Sequence, residues 1–77
     1  MQLGQFYQAI LAFTDVQQRA PRSEYAPAAG LASGAAFLQL GNVTEARRAF
    51  ERVVAENPGT PEATRATARL QALGRAQ

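Results

Sequence analysis

Apolar residues recur along this chain three and four positions apart, the spacing that gathers them on one side of an α-helix. From Phe6 they fall at Ala9, Ile10, Phe13 and Val16, and the chain then turns polar from Gln17 until Pro21 closes the run. Ser23 is suited to cap a second helix, with Pro27 close enough to its start to be tolerated. That helix carries Ala28, Leu31, Ala32, Ala35, Phe37, Leu38 and Leu40, and Gly41 is placed to end it. Asn42 is the expected cap of a third helix, with Glu45 where a capping-box partner belongs. Its stripe is Val43, Ala46, Ala49, Phe50, Val53 and Val54, and Asn57-Pro58-Gly59 breaks it. Thr60 caps a fourth helix with Pro61 in the first helical position, followed by Ala63, Ala66, Leu70 and Leu73, with Gly74 just past the end. The helices are thus predicted at about 5–20, 24–40, 43–57 and 61–73, in one all-α domain over 1–77. No segment alternates with period two, so no strand is expected.

The pattern also repeats. Shifted by 37 residues, Ala9 falls on Ala46, Ala12 on Ala49, Phe13 on Phe50, Val16 on Val53 and Pro21 on Pro58. Ala26, Ala29 and Ala35 fall on Ala63, Ala66 and Ala72 in the same register, without a gap. A small residue such as Ala9 or Ala46 lets two helices approach, and an aromatic one turn on fills the groove between them. Each such unit cannot bury its stripe alone, so neighbours must stack.

Composition narrows the chemistry. The 77 residues are 47% apolar, too much for a disordered tail, yet no apolar run nears the length of a membrane span. There is no cysteine and no histidine, which removes disulfides, thiol nucleophiles, the usual zinc ligands and the commonest general base. The acids Asp15, Glu24, Glu45, Glu51, Glu56 and Glu62 are scattered over expected polar faces and caps, with no pair set for acid–base work. No phosphate-cradling glycine loop is present. An enzyme is not expected, nor a cofactor or metal. All eight basic residues are arginine beside 17 alanines, and a net charge of +2 is weak for nucleic-acid binding. The residues leave the compartment open.

The run Gly34, Phe37, Gly41, Ala46, Phe50 and Pro58 resembles the tetratricopeptide repeat at its signature spacing. Gly4, Ala9, Phe13 and Pro21 are similar to the second half of a preceding repeat. The 37-residue period exceeds the usual 34 and looks like the longer-loop variety of bacterial cell-envelope assembly and division proteins, where a turn such as Pro21-Arg22-Ser23 recurs. Gly30, Ser33 and Val53 depart from the pattern, standing where a large aromatic, a leucine and an alanine are common.

The resemblance implies an α-solenoid fragment that binds a protein or peptide in a groove lined by the first helix of each repeat. Carried over, the groove positions are Ala28, Leu31, Ala35, Leu38, Gln39 and Arg65, with Ala68. The absence of lysine disfavours a clamp for a chain-terminal carboxylate. Arg65 and Arg69, one turn apart, could meet an acidic partner, while Arg47, Arg48 and Arg52, interleaved with Glu45 and Glu51, are explained by a solvated helix face. A second surface comes from comparing the two copies of the repeated helix. Thr44, Arg47 and Arg48 are polar, whereas their counterparts Tyr7, Ile10 and Leu11 are large and apolar. Those three form an expected self-association face, to be covered by an upstream helix, a second copy of the chain or another protein. Glu62, Arg65, Arg69 and Gln71 on the last helix read as the polar finish of a terminal cap.

Overall fold

In the computed structural model, residues 2–20 and 24–76 are described, and they form four α-helices in chain order: α1 (Gln2–Arg19), α2 (Ala26–Gln39), α3 (Val43–Glu56) and α4 (Pro61–Ala76). No strand occurs among the described residues. Short connections force each helix back along its predecessor. The backbone of α1 comes near α2 and no other helix, α2 also meets α3 and α4, and α3 meets α4. The result is a slab 33 × 31 Å across and 15 Å thick.

The helix ends follow from local chemistry. At the α2–α3 turn Gly41 takes φ 78°, the left-handed conformation that favours glycine. Gly41 N–H then donates to Leu38 O at 3.0 Å and Asn42 N–H to Phe37 O at 2.8 Å, satisfying carbonyls that the helix leaves open. The Asn42 side chain accepts from Glu45 N–H at 3.4 Å, so it caps α3. The expected reciprocal half of the capping box does not form, because Asn42 N–H already serves the turn; the Glu45 carboxylate instead pairs with Arg48 at 3.5 Å. Thr60 caps α4 more tightly, its Oγ1 accepting from Ala63 N–H at 3.1 Å while its hydroxyl donates to Asn57 O at 2.7 Å.

Two expected ends differ. Tyr25 flanks the start of α2 without a side-chain cap, and the expected cap Ser23, like Pro21 and Arg22, lies outside the described residues. Helix α4 continues past Gly74 to Ala76. Gly74 keeps a negative φ and nothing presses on it, so a glycine there does not by itself stop the helix.

The core lies between α2, α3 and α4. Ala46, Phe50 and Val53 of α3 and Ala63 and Ala66 of α4 are its buried members, with Leu31, Phe37, Leu38, Val54, Leu70 and Leu73 packed partly buried around them. Two glycines set how closely α3 and α2 approach. A Cβ on Gly34 would collide with the Phe50 ring, and one on Gly30 would collide with Val53 from α3 and with Gln17 from α1. Gly30 therefore stands at the point where the helices on both flanks of α2 close in. This gives a reason for a glycine at a position where the repeat usually holds a large aromatic. Ser33, the other departure on α2, is 2% exposed, and its Oγ has no hydrogen-bond partner.

Candidate functional site

Helices α2 and α4 flank a groove of about 500 Å³ with the Phe50 ring of α3 at its base. The α2 side supplies Ala28, Leu31, Ala32 and Ala35, and the α4 side supplies Glu62, Arg65, Ala68 and Arg69. Small side chains open this space. At helical spacing Ala28, Ala32 and Ala35 share one side of α2, and none reaches far enough to close it. Leu31 serves both the core and the groove. Arg65 and Arg69, at i and i+4, lie about 5–6 Å apart at their Cβ atoms.

The ionic pairing is uneven. Arg19 pairs with Asp15 at 2.7 Å, Arg48 with Glu45 at 3.5 Å and Arg52 with Glu56 at 3.2 Å, all within one helix and near its surface. Among the described residues Arg65 and Arg69 make no ion pair or hydrogen bond, and Glu62 comes within ion-pair distance of neither. No cluster of acidic residues able to hold a metal occurs among the described residues. No helix among them is long and apolar enough to cross a membrane.

Of the groove positions expected from sequence, Ala28, Leu31, Ala35, Arg65 and Ala68 line the groove. Leu38 and Gln39 do not. Leu38 packs partly buried against the core and Gln39 is exposed. Ala32, Phe50 and Glu62 were missed. Spacing alone could have found Ala32, which lies one turn from Ala28 and Ala35, whereas Phe50 enters only through the packing of α3. Arg69 and Glu62, expected on a polar outer face, stand along the groove instead.

The expected pairing face divides. Tyr7 and Leu11 are 59% and 71% exposed, whereas Ile10 is 8% exposed and belongs to the chain's own interior. Ile10 and Gln17, two turns apart, lie on one side of α1, and Gln17 reaches Gly30. That side rests on α2, so Ile10 packs inside the chain and does not belong to the exposed face with Tyr7 and Leu11. Met1 and the side chains of Leu3 and Phe6 lie outside the described residues.

The geometry, a run of antiparallel helices repeating after 37 residues, is joined by a sequence match. The family model of the tetratricopeptide repeat matches residues 1–70. The chain belongs to the tetratricopeptide-repeat family. Neither a curated protein nor a solved structure matches it at a significant level. Tetratricopeptide repeats generally mediate protein–protein interaction and are typically without catalytic activity. In repeat terms α2 and α3 make one complete helix pair, preceded by the second helix of one repeat and followed by the first helix of another.

Proposed function

We propose that this tetratricopeptide-repeat chain is a non-enzymatic protein-binding module that takes a protein segment into the α2–α4 groove. The observation that carries the reading is the groove itself: about 500 Å³ of space with a floor of alanine, leucine and phenylalanine side chains and arginines at its edge. Apolar burial supplies the attraction and polar groups at the rim fix orientation, the usual division of labour in a peptide site. The test fills the groove at two exposed positions, Ala28→Tyr with Ala68→Tyr, and measures binding of pooled dye-labelled 12-residue peptides by fluorescence polarisation. Loss of binding in a variant whose circular dichroism is unchanged supports the groove, while unchanged binding removes it.

A second reading rests on the exposure of Tyr7 and Leu11, positions where α3 carries Thr44 and Arg48. On it the chain pairs with a second copy through α1, either beside groove binding or as its sole task. Full burial of such a side chain is worth at most about 1.5–3 kcal/mol, against an association cost on the order of 4–15 kcal/mol. With Ile10 committed inward, the pairing is weak. Sedimentation equilibrium of the chain and of Tyr7→Glu/Leu11→Glu checks it. A dimer dissolved by the substitutions supports pairing, and a monomer at every concentration rejects it.

A further inference from the structure

We infer that the segment taken into the α2–α4 groove is acidic, carrying two carboxylates spaced to meet Arg65 and Arg69 beside a small apolar residue. The inference rests on the groove reading and goes beyond it by naming the chemistry of the occupant.

Three observations lead to it. The first is where the unpaired cations are. Arg19, Arg48 and Arg52 each face an acid three or four positions away on their own helix, whereas Arg65 and Arg69 have no such partner. An arginine already paired on its own helix gives up that contact to meet a ligand, and an unpaired one does not. The second is that Arg65 and Arg69 line the same groove, on its α4 side. Their guanidinium groups can bond a carboxylate with two parallel N–H donors. The third is the opposite wall, where Ala28, Ala32 and Ala35 leave room for apolar side chains but present no charge. One wall therefore selects charge and the other selects size.

The spacing is specific. Cβ atoms at i and i+4 of a helix are about 5–6 Å apart. In an extended segment, alternate side chains point to the same side about 6.6 Å apart. An acid-x-acid segment laid along the groove thus matches the arginine pair residue for residue. Its intervening side chain turns to the opposite side, toward the alanine wall. Glu62 is the one acid lining the groove, and it opposes this ligand.

The probe is a set of three matched pools of dye-labelled 12-residue peptides, alike except for a central Glu-x-Glu, Gln-x-Gln or Lys-x-Lys, with a 20-nucleotide single-stranded DNA alongside. The Glu pool is expected to bind best. Arg65→Gln/Arg69→Gln should weaken it about tenfold at low salt and leave the Gln pool unchanged. Glu62→Gln should strengthen the Glu pool and leave the Gln pool alone. Equal binding of the Glu and Gln pools, or a Glu pool indifferent to the arginines, overturns the acidic occupant and leaves the groove standing. No saturable binding by any pool overturns both. Binding of the DNA in preference to the Glu pool assigns the arginines to phosphate and overturns the proposal. Since both arginines are exposed, unchanged circular dichroism is expected for the double variant.

Discussion

Helices α1 and α3 are two copies of one pattern, and their surroundings differ. Ala46, Phe50 and Val53 on α3 are all but fully buried, whereas Ala9, Phe13 and Val16, 37 residues earlier, are half-buried. The side chains are the same and the neighbours are not. Helix α3 lies between α2 and α4, while the described part of α1 rests on α2 alone. Identical residues thus do different work in the two copies. In α3 they hold the molecule together, and in α1 they stay half-buried on a side of the helix away from the exposed Tyr7 and Leu11. The α2–α4 pair shows the complementary contrast. Where α2 carries Gly30 and Gly34 to receive α3, α4 carries Thr67 and Gln71. A further helix could not approach α4 in the same register without those side chains giving way.

The sharpest break of this comparison is to remove the same ring from each copy. Phe50→Ala should cost about 3–5 kcal/mol, close to the whole stability of so small a domain. Phe13→Ala, from a half-buried site, should cost about 1–2 kcal/mol. Urea denaturation of the two variants checks this, and equal losses would mean that α1 is covered as fully as α3.

Next in size is the close approach at Gly34. Gly34→Ala puts a Cβ into the Phe50 ring and should destabilise by about 1–3 kcal/mol, although alanine is the better helix former. Gly4→Ala, with nothing within 4 Å, should instead stabilise by roughly 0.5–1 kcal/mol. Opposite signs in thermal melts would establish that contact, and not helix propensity, sets the glycine on α2. Two stabilisations would remove the tight α2–α3 contact.

The smallest effect separates the two caps. Thr60→Ala should cost about 1 kcal/mol, since its hydroxyl joins the α3–α4 turn to the first turn of α4. Asn42→Ala should cost less, because its bond at 3.4 Å is long and the turn beside it is already held by the backbone of Gly41 and Asn42. Amide exchange at Ala63 and Glu45 reads the difference directly.

By itself the sequence determined the local features of this protein. Helical period, the prolines, Asn42, Thr60 and Gly41 act within a turn or two of the chain, so four helices, their approximate ends and the 37-residue repeat could be read from residue order. Half of the groove was readable as well, because Ala28, Leu31, Ala35, Arg65 and Ala68 follow from the repeat's register. Only the tertiary structure decided which side of each helix meets a neighbour. The apolar arc of α1 is wide enough to point Ala9, Phe13 and Val16 one way and Ile10 and Gln17 another, and helical spacing does not choose between them. Packing on α2 turned Ile10 inward and left Tyr7 and Leu11 outside. It likewise drew Phe50 under the groove, packed Leu38 against the core, and ranged Glu62 with Arg65 and Arg69 along one rim. Those outcomes depend on residues distant in the chain meeting through contacts that no local spacing encodes.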